Sequence, residues 1–250
     1  MSDPKKETMD QGRRRFLGAG AAAAATIAPG VTLMQVASAK PDDQPVSDKN
    51  RWGLLIDTTK CASGCDACVQ ACNEEFNLQP QHGPRTDPHW IRKVEVRDTA
   101  TGRTFSLPMM CQHCENPPCA DVCPTGASFR RDDGIVLVDR HICIGCRYCM
   151  MACPYKARSF VHEEIPEEDK NVNAPRGKGC VEACTLCVHR VDKGRQPACV
   201  EACNGDGHKA MIFGDLKDPG SEISRELKKY PSTQIRADLR LNPGVFYKGI

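Results

Sequence analysis

Residues 143–154 read Cys143-Ile144-Gly145-Cys146-Arg147-Tyr148-Cys149-Met150-Met151-Ala152-Cys153-Pro154, four cysteines spaced by two, two and three residues and closed by a proline. Spacings of two leave a loop too short for its thiolates to spread, so the first three converge on one small inorganic body. The fourth thiol, three residues on at the start of a helix, points away from the body its neighbours hold. Pro154 removes a backbone donor and fixes the direction in which the chain leaves.

The pattern recurs on both sides. Cys111, Cys114, Cys119 and Cys123 precede it, again with proline following, at Pro124. Cys61, Cys65, Cys68 and Cys72 form a group nearer the N-terminus, and Cys184, Cys187, Cys199 and Cys203 one nearer the C-terminus. Four groups account for sixteen of the 17 cysteines, with Cys180 left over. A disulfide framework does not suit pairs as close as Cys146 and Cys149, which cannot staple distant segments. Zinc sites use two cysteine pairs joined by a longer connection, whereas three of these groups pack three cysteines into seven to nine residues. The pattern therefore specifies four 4Fe–4S clusters, and the spacing leaves open whether one of them is 3Fe–4S. Composition agrees: aromatics are 5% and hydrophobic residues 40% of 250 residues, a thin supply for an oily core.

The N-terminus reads as an address. Lys5 and Lys6 lie in a polar lead, Arg13-Arg14-Arg15-Phe16-Leu17 follows, and a small-residue stretch runs from Gly18 to Val36 before Ala37-Ser38-Ala39. This is a three-part export signal over residues 1–39 resembling the twin-arginine type, which predicts a periplasmic protein. Clusters need reduced thiolates, so export of an already folded protein is consistent with them. The signal holds five basic and three acidic residues, leaving the remainder balanced at 29 to 29, so no basic field argues for nucleic acid. No second apolar stretch of spanning length follows, and attachment to a membrane is expected through a partner.

Between the groups the chain predicts short strands. Arg51–Asp57 feeds the first group. Residues 91–96 and 104–107 alternate as a hairpin leading into the second, and Ser128–Arg131 with Ile135–Val138 forms a hairpin through a type I′ turn at Asp133-Gly134. Ala210–Phe213 is a further strand, and Ser221 caps a helix ending at Lys229 before Pro231. Residues 162–179 read as a charged surface excursion and residues 230–250 as an irregular tail. Cysteine loops alternating with hairpins and short helices give an α+β fold of two ferredoxin-like modules in one domain over residues 40–250.

These features resemble the four-cluster iron–sulfur subunits of complex oxidoreductases, the B subunits of the DMSO-reductase and polysulfide-reductase type. The likeness covers roughly residues 52–245. It rests on Cys111-Gln112-His113-Cys114 with Pro117-Pro118-Cys119, on Cys143-Ile144-Gly145-Cys146 with Cys153-Pro154-Tyr155, and on Gly214-Asp215-Leu216. Together with the export signal, the opening Thr59-Lys60-Cys61-Ala62-Ser63-Gly64-Cys65 is most similar to the DsrO branch, periplasmic subunits of the sulfite-reduction-associated DsrMKJOP complex. The resemblance implies crosswise ligation. Cys61, Cys65 and Cys68 would share a cluster with Cys203, and Cys184, Cys187 and Cys199 with Cys72. Cys111, Cys114 and Cys119 would share one with Cys153, and Cys143, Cys146 and Cys149 with Cys123. The sequence departs from that family in the x3 spacing after Cys61 and in Asn73 and Asn204, where proline would follow the fourth cysteine. Cys180 repeats the Cys61 spacing relative to Cys184 and Cys187, and reads either as a spare thiol or as an alternative to Cys184.

The implied function is an electron wire with no substrate site of its own, carrying charge between a polytopic quinone-interacting membrane subunit and partners such as a multihaem cytochrome c or other Dsr-complex subunits. The alternative is the electron-transfer subunit of a periplasmic molybdopterin oxidoreductase. A self-contained metalloenzyme would need an iron without a protein ligand, and sixteen thiolates for four cubanes leave none. His113, between two ligands, reads as a hydrogen-bonding or solvated residue. Arg130, Arg131, Arg147, Lys156 and Arg158 read either as a solvated face or as cations tuning the clusters. Gly205-x-Gly207-x-x-Ala210 imitates a dinucleotide fingerprint but follows a cysteine rather than a strand.

Overall fold

The computed structural model describes residues 45–78, 83, 85–167 and 174–250. The export signal expected over residues 1–39, and residues 168–173 of the expected surface excursion, lie outside the described residues. The order of elements is β1 (Trp52–Asp57), α1 (Ala67–Phe76), β2 (Ile91–Arg97), β3 (Thr104–Met110), α2 (Pro118–Asp121) and β4 (Ser128–Arg130). There follow β5 (Val136–Val138), α3 (Tyr148–Ala152), β6 (Ser159–Phe160), β7 (Val181–Glu182) and α4 (Val188–Val191). The chain ends with α5 (Ala198–Gly205), β8 (Met211–Asp215), α6 (Glu222–Lys229) and β9 (Val245–Lys248). This is a mixed α/β arrangement of short strands and helices.

Strand β1 is apolar up to its closing Asp57, as expected of a strand flanked on both edges and covered on both faces. It pairs antiparallel with β8, Trp52 facing Asp215 and Ile56 facing Met211, and parallel with β9, Leu54 facing Val245 and Asp57 facing Lys248. Strands β2 and β3, β4 and β5, and β6 and β7 form three separate antiparallel pairs. Helix α6 begins as its sequence dictates, with Ser221 Oγ accepting the Ser224 N–H at 3.2 Å, and carries Lys228 and Lys229 in its last turn.

Two expectations fail here. Residues 230–250 are not an irregular tail throughout, because Val245–Lys248 completes the central sheet. Within it, Tyr247 is fully buried; its hydroxyl donates to the Pro108 carbonyl at 3.1 Å and accepts from Gln112 Nε2 at 3.1 Å. The strand partner lies almost a whole chain away, so no local turn announces it. The β4–β5 turn is also not type I′, which requires positive φ at both central residues. Only Gly134 takes a positive φ, 91°, and the Gly134 N–H donates to the Arg131 carbonyl at 3.0 Å. The connection is one residue longer, a turn followed by a left-handed glycine.

The core is shared between thiols and a few large side chains. Phe76, at the end of α1, packs on Trp90 with ring centroids 4.5 Å apart. Part of the expected surface excursion turns inward, with Ala174 buried and Arg176 forming a two-pronged ion pair with Glu182 of β7 (Nε–Oε2 2.9 Å, Nη2–Oε1 3.0 Å). Glu182 is 0% exposed, so its charge depends on that partner. Replacing Arg176 by Met should therefore cost about 3–5 kcal/mol, a thermal midpoint many degrees lower, whereas the double variant Arg176→Met/Glu182→Leu should recover most of it. Thermal loss of visible absorbance in the purified holoprotein would measure both.

Candidate metal centres

Helix α1 carries Cys68 and Cys72 four residues apart on its buried face, separated by about 6 Å along the axis. Helix α5, which packs against it, carries Cys199 and Cys203 at the same spacing. Cys68 and Cys203 line one cavity together with Cys61 and Cys65. One turn along, the Cys72 thiol is pushed well above its ordinary pKa by burial first, and then by the charges of Cys184, Cys199 and Cys187. The two helices thus run antiparallel, and each gives one thiol to each of two sites.

The same exchange occurs in the middle of the chain. Cys119 lies on α2 and Cys149 on α3, with Cys123 and Cys153 four residues beyond each. Cys123, Cys143, Cys146 and Cys149 line a second cavity. Cys114 neighbours Cys119 and Cys153, which after burial help push its thiol up to about 12. Cys111 neighbours Cys119 as well as Cys184. Pro124 and Pro154 keep α2 and α3 to four and five residues, while Asn73 and Asn204 let α1 and α5 run on to ten and eight. The departure from proline after Cys72 and Cys203 is therefore a difference in helix length, and the thiols still converge.

Each cysteine loop folds back by one device. The residue just before the second cysteine has positive φ in all four groups: Gly64 (80°), His113 (43°), Gly145 (70°) and Leu186 (53°). This left-handed step turns the next thiol toward its predecessor. Non-glycine residues are strained by it, so His113 and Leu186 are held there by their surroundings. At position 145 a side chain is excluded outright, since a Cβ would stand 2.2 Å from the Gly179 carbonyl oxygen.

The donor set fits iron–sulfur cubanes. Thiols ring each cavity, and among the described residues no three metal-binding side chains stand at the spacing of a single ion. Backbone N–H groups already aim at sulfur: Ser128 at Cys123 (3.3 Å), Leu186 at Cys184 (3.4 Å) and Ala210 at Cys203 (3.3 Å). Beside the cysteines, His113 Nε2, Arg158 Nη1, Thr185 Oγ1 and Ser128 Oγ are buried without a protein partner. Native interiors rarely leave such groups unpaired, and cluster sulfur is an acceptor that would answer them.

His113 is not solvated. Its Nδ1 accepts the Val136 N–H at 3.0 Å, and burial, with nearby Arg158, takes its pKa down to about 3, so the ring is neutral with its proton on Nε2. The cations also separate. Arg131 is committed to Asp133 and Asp192, Arg147 lies 3.9 Å from the centre of the Phe160 ring, and only Arg158 is buried against the thiols. Lys93 gives no signal in the sequence because it sits in an ordinary alternating strand; its Nζ donates to the Ala62 (2.9 Å) and Cys65 (2.7 Å) carbonyls at the first cavity. Glu75 is held below the usual carboxylate range, against burial, by Arg190 and His189, and ties α1 to α4 beside the second thiol set. Cys180 is not placed to replace Cys184: its Sγ approaches the Arg140 carbonyl at 3.3 Å and neighbours Cys143, two residues of strand β7 separating it from the other set.

Residues 103–216 match the family described as a 4Fe–4S dicluster domain. The chain is 41% identical to the Hdr-like menaquinol oxidoreductase iron–sulfur subunit 1 of Archaeoglobus fulgidus, over 94% of this chain and 97% of that protein. It is 38% identical to the tetrathionate reductase B subunit of Salmonella typhimurium, over 97% and 90%. The chain belongs to the DMSO-reductase B-subunit type. Protein NrfC of Escherichia coli, 38% identical over 78% of this chain and 79% of its own length, is another relative. As a B-type subunit it carries 4Fe–4S clusters and serves electron transfer, not catalysis. In such a protein the loop geometry must be close enough to hold a cluster, so Gly145→Ala should lower the iron content by up to about a quarter, a loss confined to one of four sites. Iron analysis with parallel circular dichroism would separate that loss from unfolding.

Proposed function

We propose that the chain conducts single electrons along a row of four 4Fe–4S clusters between two partners. The ligand sets we assign are Cys61, Cys65, Cys68 and Cys203 for the first; Cys72, Cys184, Cys187 and Cys199 for the second; Cys111, Cys114, Cys119 and Cys153 for the third; Cys123, Cys143, Cys146 and Cys149 for the fourth. When bound, each cubane supplies a site that gains or loses one electron.

The order follows from neighbours: Cys199 feels the charge of Cys68, Cys111 that of Cys184, and Cys149 that of Cys119. The observation that carries the proposal is exposure along that row. Every thiol of the second and third sets is buried, whereas Cys61, Cys65 and Cys203 at one end and Cys123, Cys143 and Cys146 at the other reach the surface. Sealed inner sites with open ends suit conduction. The exchange of thiols within each helix pair supports reading the domain as two ferredoxin-like modules over residues 40–250.

The two ends differ in chemistry. Around the fourth set Ile142 (48%), Ile144 (67%), Tyr148 (53%) and Met151 (65%) are exposed, an apolar collar about the open thiol Cys146. Collars of this kind mark interaction sites. We assign it to a polytopic quinone-interacting membrane subunit, in keeping with the menaquinol oxidoreductase among the relatives. Among the described residues no helix is long and apolar enough to cross a membrane, so attachment would come from that partner. Residues 1–39 are proposed as a twin-arginine signal delivering the folded protein to the periplasm, within a Dsr-type complex that includes a multihaem cytochrome c.

Purified holoprotein should contain about sixteen iron atoms per chain and show paramagnetism on dithionite reduction. Affinity-purified complex should contain a polytopic membrane subunit; Ile144→Glu with Met151→Glu should release it while leaving iron unchanged. A molybdopterin subunit in its place would overturn the Dsr-type assignment, and an iron-free protein would overturn the wire.

A further inference from the structure

Between the third and fourth thiol sets lies a cation that no carboxylate answers. Arg158 is 7% exposed, and its Nη2 donates to Cys119 Sγ at 3.0 Å. The same guanidinium lies close enough to feel the Cys149, Cys111 and Cys153 thiols. Cys119, Cys111 and Cys153 belong to the third set and Cys149 to the fourth, so one side chain bonds the third set and stands beside the fourth. Among the described residues no Asp or Glu pairs with it, and its Nη1 is buried without a partner.

A buried guanidinium is stable only among anions, and it stays charged at any working pH. Its anions here are the cysteine sulfurs. His113, the titratable ring beside it, is neutral and adds no compensating charge. Other cations near these ligands have partners of their own: Arg51, near Cys114, pairs with Glu115; Arg140, near Cys143, lies over the Trp90 ring; Arg131 holds two aspartates and Arg147 an aromatic ring.

Reduction of a neighbouring site adds one electron and nothing else: no bond forms or breaks and no proton moves. A fixed positive charge favours that extra negative charge, and a hydrogen bond to ligand sulfur works in the same direction. We propose that Arg158 sets the reduction potentials of the third and fourth clusters jointly, holding both above the values a neutral side chain would give. The inference rests on the ligand sets proposed above.

The test uses holoprotein of the wild type, Arg158→Lys and Arg158→Gln, with iron analysis and a dithionite titration followed by electron paramagnetic resonance. In Arg158→Gln, with iron retained, two of the four midpoints should fall by at least tenfold in the reduction equilibrium, about 59 mV for one electron, while the other two hold. Arg158→Lys keeps the charge but loses the fork, and the same two midpoints should fall by less. Should Arg158→Gln alone lose iron, a shift confined to two midpoints in Arg158→Lys still supports the proposal. Unmoved midpoints, or four moving together, overturn it at full iron content. Loss of about half the iron in both variants also overturns it, making the arginine a clamp rather than a set-point. A wild-type protein without iron would instead overturn the cluster assignment itself, and the role of Arg158 with it.

Discussion

Everything else in this structure depends on one arrangement: thiols four residues apart on one helix are divided between two sites. Cys68 and Cys72 on α1, and Cys199 and Cys203 on α5, sit about a turn apart; Cys68 and Cys203 face one cavity, while Cys72 stands among Cys184, Cys187 and Cys199. Pairing the helices antiparallel gives each site one thiol from each helix. The remaining ligands arrive on loops whose left-handed step bends them inward. Since neither helix can slide without disturbing two sites, the metal-binding residues do the work that a larger aromatic core does in other domains of this size.

Much of this is legible in the residues themselves. The cysteine spacings specify the number of sites, and apolar runs such as Trp52–Asp57 specify strands, because both signals are local. What the residues do not announce is long-range. The strand Val245–Lys248 pairs with β1 across nearly the whole chain, and although Pro243-Gly244 marks a boundary before it, four residues carry too weak a pattern to name so distant a partner. The β4–β5 turn escapes a reading by residue type because Asp133-Gly134 fits two turn types, and only φ distinguishes them. At the site, Lys93 is invisible inside a regular alternation, and the five cations beside the ligands look alike until their partners are known. Chain neighbours say which charges are close, whereas burial and pairing decide which act.

Those partners give the row an electrical asymmetry. Lys93 offers the first cavity a cation hydrogen-bonded to carbonyls. Near the second set, Arg190 is answered by Glu75 and Glu201, so its field is largely cancelled. At the third and fourth sets Arg158 is cancelled by nothing except thiolate. A net charge close to zero over the chain therefore hides local fields that differ from site to site, and local fields, with hydrogen bonds to sulfur, govern where an electron rests.

The residue after the fourth cysteine accounts for a further difference between the two halves. Where it is asparagine, the helix runs on, reaching Phe76 in α1, and that extra turn packs against Trp90 and closes the site. Where it is proline, the helix stops within five residues, and no further turn is available to cover the loop at 142–151. Cys146 is accordingly the one exposed thiol among the four groups, and Ile144 and Met151 stand out beside it. Among the described residues nothing covers that collar. Helix length thus differs between the halves, while each half keeps one buried set of thiols and one set that reaches the surface.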